Sequence, residues 1–167
     1  MKSEIVHRRR LILFGGLTLG IMLAIFLLSA QDGTESGNFS DSFLGSLIGR
    51  FLEKILPRLS DQGFEHDIRK YAHMFEYFCL GLSGAFFFHE CFHNRGKNLF
   101  PSAFLSIGMS FLYACSDEWH QRFVPGRAGQ FRDVLIDGMG FCLAAVLFLV
   151  LKKIGHRLDN RRNSSKL

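Results

Sequence analysis

The sequence predicts an all-α integral membrane protein with four transmembrane helices and an outer interfacial amphipathic helix. Three observations support this prediction. Long apolar runs alternate with charged connectors along the 167 residues. The basic residues concentrate in alternate connectors, and one connector repeats apolar residues at steps of three and four. The net charge of +5 and the mean hydropathy of +0.15 average over these contrasting segments, so neither value describes any one of them.

The four spans are expected at about residues 11–28, 71–92, 100–115 and 134–151. The first is an uncharged run of 18 residues, which is just long enough to cross the bilayer core. A cleavable signal peptide is the rival interpretation because small residues follow the run, but the run is longer than a usual signal core. The spans divide the chain into a basic N-terminus (1–10), a membrane domain (11–151) and a basic tail (152–167). The tail after Asp159 has a composition typical of disorder.

The distribution of charge predicts the orientation of the spans. If the spans alternate, twelve basic and three acidic residues fall on the side of the termini, and eight basic and twelve acidic residues fall on the other. Basic loops stay in the cytoplasm, so both termini are expected there. Orientation alone therefore explains the pI near 9.2, and the lipid bilayer, not nucleic acid, is the expected partner.

The connector between spans one and two contains the amphipathic pattern. Its apolar residues recur at helical spacing from Phe43 to Leu59, with Ser40 or Asp41 as a plausible cap. Charged residues interrupt the pattern too often for a span. We expect a helix over about residues 40–59 that lies on the outer leaflet or covers the bundle.

Polar residues from four segments fall at the outer ends of the predicted spans. They are Gln31 after span one; Arg69, Lys70, His73, Glu76 and Tyr77 at the start of span two; Asp117, Glu118, His120 and Gln121 after span three; and Arg127, Arg132, Asp133 and Asp137 around the start of span four. The inner halves of the spans carry few such groups. Because polar side chains are costly in an apolar setting unless they pair or reach water, this asymmetry predicts one shared site near the outer leaflet.

Three interpretations of this site remain open from the residues themselves. A binding site would use the arginines for anionic groups, the carboxylates for sugar hydroxyls, and Trp119, Tyr77 and Phe123 as flat faces. A structural network of ion pairs and hydrogen bonds would only order the bundle. An enzyme would use His120 with Asp117, or His73 with Glu76, as its acid–base pairs.

A metal site is a further alternative. His73 and Glu76, and Asp117 and His120, have helix-compatible ligand spacing. The adjacent Arg69 and Lys70 argue against a bound cation, so we expect neither a metal nor another cofactor. The four cysteines show no CxxC spacing and are expected to be free thiols.

The chain resembles the VanZ-like family of small bacterial membrane proteins. The resemblance rests on four motifs: Ser29 and Gln31; Arg69-Lys70-x-Ala72-His73-x-x-Glu76-Tyr77; Asp117-Glu118-x-His120-Gln121-x-Phe123-Val124-Pro125-Gly126-Arg127; and Arg132-Asp133 with Asp137 and Gly140. These motifs occur in order and cover about residues 25–150.

The resemblance implies a location in the bacterial inner (plasma) membrane and a role at the cell envelope. The family's namesake is linked to low-level resistance to teicoplanin, a lipid-tailed glycopeptide that acts outside the cell. No reaction can be carried over to these positions. The expected function is therefore engagement of an envelope lipid, glycan or lipoglycopeptide through the outer polar residues, with a membrane-embedded enzyme for a lipid-linked substrate as the alternative.

Overall fold

The computed structural model describes residues 2–30, 64–92, 99–125, 127 and 129–164, with no side-chain description for residues 2, 3, 64–69 and 163. Four helices make up most of this part of the chain: α1 (Lys2–Ser29), α2 (Phe64–Cys91), α3 (Leu99–Gln121) and α4 (Phe131–Ser164). The described residues contain no strand. The predicted all-helical fold is therefore confirmed for them.

Three of these helices are long and apolar enough to cross a membrane. They are Glu4–Ser29, Leu99–Gln121 and Phe131–Arg162. Helix α2 lacks a sufficiently apolar stretch, because Lys70, His73, Glu76 and Glu90 interrupt its aromatic and aliphatic residues. The length and apolar composition that membrane crossing requires are thus confirmed for three helices, and a fourth span in α2 remains a prediction.

Helix α2 occupies the centre of the bundle, where it packs against α1, α3 and α4. Its alignment with α4 is parallel, since Gly140 lies against Met74 and Phe148 packs edge-on against Phe86. Helix α1 runs the other way, because His7 near its start contacts Glu90 near the end of α2. Helix α3 is also antiparallel to α2. The ends of α1 and α3 therefore meet the beginnings of α2 and α4, and we call this the polar end.

Small residues bring α2 and α4 into close contact. A Cβ atom on Gly140 would lie 2.1 Å from the backbone oxygen of Met74 and 3.0 Å from the backbone nitrogen of Phe78. No side chain fits in that space, so glycine is required for this helix separation. The seam leads into a core of buried residues from all four helices: Ile25, Tyr77, Leu80, Ala114, Val134 and Phe141.

The opposite end of the bundle carries a separate charged contact. His7 Nδ1 lies 3.0 Å from Glu90 Oε2, and the Glu90 side chain is almost fully buried. Lys152 of α4 lies over the rings of Phe86 and Phe148. Basic residues from the two terminal segments thus lie together, away from the polar end.

Two predictions about the connectors and tail have different outcomes. The amphipathic segment at 40–59 lies outside the described residues. The tail after Asp159 is helical as far as Ser164, so the expectation of disorder is wrong for that stretch. Its many basic residues are compatible with a helix, since Lys and Arg have high helix propensity and are favourable near a helix C-terminus.

Candidate functional site at the polar end of the bundle

The polar end gathers ionisable and hydrogen-bonding residues from all four helices. We define the polar-end cluster as Ser29 of α1; His73, Glu76 and Tyr77 of α2; Asp117, Glu118 and Gln121 of α3; and Asp133 and Asp137 of α4. All but Ser29 are among the residues that the sequence predicts for the site. Their role in binding or catalysis remains a proposal.

Asp117 is the best-connected residue of the cluster. Ser29 Oγ donates a hydrogen bond of 2.9 Å to Asp117 Oδ2, and Gln121 Nε2 donates one of 3.0 Å to the same oxygen. Gln121 Nε2 also lies 3.4 Å from Ser29 Oγ. Because α3 continues to Gln121, its positions 117 and 121 fall on one face. Asp117 is 5% exposed and Ser29 is fully buried, so this triad joins α1 to α3 away from solvent.

Glu118 joins α3 to the beginning of α4. Its Oε2 accepts a hydrogen bond of 2.8 Å from the backbone N–H of Gln130, which directly precedes α4. The connection passes close to α3, since a Cβ atom on Gly129 would lie 2.3 Å from the Glu118 backbone oxygen. This backbone donor satisfies one carboxylate oxygen and fixes where α4 starts.

Arg127 projects from the tight turn between α3 and α4. The Arg127 N–H donates to the carbonyl of Val124 at 3.2 Å, which closes a four-residue turn. The guanidinium Nη2 donates to the carbonyl of Leu28 at 2.9 Å. A cation at this carbonyl stabilises the C-terminal end of α1. Arg127 therefore has a structural contact in addition to any ligand it meets.

His73 lies among the carboxylates of three helices. Its Nδ1 is 3.4 Å from Glu76 Oε2, and the two side chains are 20% and 25% exposed. Asp117 and Asp137 are close enough to act on His73 electrostatically. Asp137 is 3% exposed, so it faces the bundle as expected for an aspartate within an apolar helix.

Several buried polar atoms at the polar end have no hydrogen-bond partner among the described residues. The Tyr77 hydroxyl and Asp117 Oδ1 are two of them. Tyr77 is fully buried, and Asp117 is the carboxylate that acts on it most strongly. The neighbouring Tyr113 differs, because its hydroxyl donates to the Met22 carbonyl. Burial leaves no ring face of Tyr77 for a ligand.

The structure places His120 and the aromatic residues differently from the acid–base and stacking expectations. His120 stacks on Phe26 of α1, with ring centroids 4.8 Å apart. Among the described residues no hydrogen bond joins it to Asp117, so the expected His120–Asp117 pair does not form. Trp119 and Phe123 pack against each other and are largely exposed.

Fewer of the predicted cationic residues than of the predicted acidic residues lie in the described cluster. Arg132 is exposed and Lys70 is half-buried. Gln31 lies outside the described residues, as does the side chain of Arg69. Within the described residues, no group of three or more His, Cys, Asp or Glu side chains is arranged to hold a metal ion.

Ser29 is the cluster residue that the list of predicted site residues omits. Its only sequence signal is its place in the motif that follows span one, since a serine at a helix end is otherwise common. The His7–Glu90 contact at the opposite end is also absent from the predictions. Helical spacing relates positions within one helix, so it gives no signal for pairs that are 83 or 88 residues apart.

Comparison with known proteins places most of the chain in a family. Residues 14–152 match the family model described as VanZ/LLP1. This range includes most of α1, all of α2 and α3, and the part of α4 that reaches Lys152, so it contains every residue of the polar-end cluster. Searches of curated proteins and of solved structures found no match to this chain.

Proposed function

This chain belongs to the VanZ/LLP1 family, and we propose that it engages a cell-envelope lipid, glycan or lipoglycopeptide through the polar-end cluster. The observation that carries the proposal is that the buried Tyr77 hydroxyl and Asp117 Oδ1, which belong to residues that act on each other electrostatically, both lack a hydrogen-bond partner among the described residues. A purely structural network would pair these groups with each other or with neighbours. Unpaired buried polar groups cost about 1–3 kcal/mol each, and a ligand that meets them removes that cost.

The envelope location follows from the proposed orientation. The polar end is acidic, whereas the opposite end carries the basic residues in the first turns of α1 and the last turns of α4. Under the positive-inside rule the basic end faces the cytoplasm and the polar end faces outward. A ligand of the outer leaflet or of the cell wall would then reach the cluster directly.

We further propose that α2 crosses the membrane as the centre of a four-span bundle. It packs against three helices, and two of its glycines lie in tight contact with α3 and α4. Its 28 residues correspond to roughly 42 Å of helix, which exceeds the bilayer core. Neighbouring helices shield its ionisable residues from lipid, so it tolerates a lower hydropathy than a helix that faces lipid.

Native mass spectrometry of the protein purified from bacterial membranes tests the proposed function. We expect the wild type to retain an envelope lipid, glycan or lipoglycopeptide adduct. The Asp117→Asn variant should lose most of it, because the amide offers a donor where the ligand needs an acceptor. Glu90→Gln is the matched control, since Glu90 is equally buried at the opposite end, and it should retain the adduct. A wild-type spectrum without any adduct would overturn the proposal.

A contribution to glycopeptide resistance is the finer form of this function. If the polar end captures a lipoglycopeptide, a teicoplanin-sensitive bacterium that expresses the wild type should need more teicoplanin for growth inhibition than one expressing Asp117→Asn. If the two strains hold equal amounts of folded protein and are inhibited by the same concentration of teicoplanin, the function is limited to envelope upkeep.

A membrane-embedded enzyme for a lipid-linked substrate is the second candidate. The 3.4 Å approach of His73 Nδ1 to Glu76 Oε2 favours it, since a carboxylate that orients an imidazole is a common acid–base arrangement. The geometry favours this pair over His120 and Asp117. Under this alternative, His73→Gln should abolish turnover of a lipid-linked substrate while ligand retention persists, whereas loss of retention alone would support the binding function.

A further inference from the structure

The polar-end cluster offers acceptors for hydrogen bonds far more than donors. Five of its side chains are carboxylates: Glu76, Asp117, Glu118, Asp133 and Asp137. Ionised carboxylates only accept hydrogen bonds. The Gln121 amide is already used within the described network. A ligand group that meets these carboxylates must therefore donate.

The fully buried Tyr77 adds a second and independent requirement. Its hydroxyl has no partner among the described residues and needs an acceptor. Asp117 Oδ1, equally without a partner, needs a donor. Among the groups of an envelope ligand, an alcohol meets both requirements as a water molecule would, because its oxygen accepts from tyrosine while its proton goes to the carboxylate. An ammonium group donates only, and a phosphate only accepts.

We propose that Tyr77 and Asp117 form a subsite for an alcohol hydroxyl, so that the polar end selects a sugar or glycerol headgroup over a bare phosphate. This inference rests on the proposed function, because it specifies which chemistry of ligand the same cluster takes. The remaining carboxylates extend the preference, since Asp133 also presents a buried oxygen without a hydrogen bond. They repel phosphate and accept from further hydroxyls of the same ligand.

Lipid binding to the full chain in phosphatidylcholine nanodiscs tests the subsite. Four probes separate the chemistry: glucosyl diacylglycerol has hydroxyls without phosphate, phosphatidic acid has phosphate without hydroxyls, phosphatidylglycerol has both, and methyl glucoside is a free sugar. We expect the glucosyl lipid to bind most tightly and phosphatidic acid least. Binding of methyl glucoside at similar affinity would identify a soluble glycan as the source of the hydroxyl.

The variant Tyr77→Phe removes one hydroxyl and keeps the buried ring. It should weaken binding of glucosyl diacylglycerol about tenfold, as for loss of one hydrogen bond in a dry site, and leave phosphatidic acid unchanged. The matched control is Tyr71→Phe on the same helix, where the side chain is exposed, and it should bind like the wild type.

The outcomes distinguish the subsite from the broader function. Preference for phosphatidic acid, or equal binding by wild type and Tyr77→Phe, would overturn the hydroxyl subsite and leave a headgroup-binding protein. Failure of all four probes would also overturn the subsite, whereas a wild type that purifies without an adduct would overturn the proposed function itself.

Discussion

At the scale of single residues, the polar end separates side chains that hold the helices together from side chains that remain available. Ser29, Gln121 and the Gln130 N–H supply hydrogen bonds to two carboxylates. The Tyr77 hydroxyl and Asp117 Oδ1 are left open. Asp117 has both roles, because one of its oxygens joins the network and the other does not. The network joins the helices, and the open atoms are the ones that the proposed ligand would meet.

The sequence predicts part of this arrangement. Spacing of four places Asp117 and Gln121 on one face of α3, and the cost of burial predicts that Asp137 turns inward. Spacing cannot reveal that Ser29 bonds to Asp117, because that contact depends on the rotation and depth of α1 against α3. For the same reason it wrongly pairs His120 with Asp117, when His120 instead stacks on Phe26.

Replacement of Ser29 by alanine tests the network. The change removes the donor to Asp117 Oδ2, so we expect a loss of about 1 kcal/mol in the free energy of unfolding. Unfolding in mixed detergent micelles measures it. Ser116→Ala is the control, because Ser116 is exposed and bonds only to a carbonyl of its own helix, and its change should be negligible. Equal effects of the two substitutions would contradict the interhelical role.

At the scale of helices, packing explains why the least apolar helix lies in the middle. Helix α1 is apolar and contributes few buried residues, whereas α2 packs against three partners. Hydropathy measures how well a helix faces lipid, so it is high for α1 and can be lower for a helix that neighbours cover. The sequence indicates close approach near Gly138 and Gly140. It does not indicate that α2 is the partner, which depends on tertiary packing.

Substitution of Gly140 by alanine tests the α2–α4 seam. The new methyl group would overlap the Met74 carbonyl, so the helices must separate. We expect a loss of about 1–3 kcal/mol, seen as a lower melting temperature in detergent and less folded protein in the membrane. Gly155→Ala on the same helix is the control, since a Cβ there meets no atom within 4 Å. A stable Gly140→Ala variant would contradict this packing.

At the scale of the whole molecule, the alternating helices produce two ends of different character. The polar end brings together acids, amides and hydroxyls from four helices, and the opposite end holds basic termini around the buried Glu90. Counting charges in the sequence predicts this separation, because basic connectors tend to stay in the cytoplasm whatever their detailed structure. The contacts within each end require the packed bundle.

The outward orientation of the polar end is the central claim, because an envelope ligand reaches the cluster only from that side. Labelling of intact cells with a membrane-impermeant maleimide measures it, in a chain whose four native cysteines are replaced by alanine. Single cysteines are introduced by Phe123→Cys at the polar end and His156→Cys at the opposite end, where both native side chains are exposed. The account predicts that Phe123→Cys is labelled in intact cells and His156→Cys only after lysis. Labelling of His156→Cys but not Phe123→Cys in intact cells would contradict it.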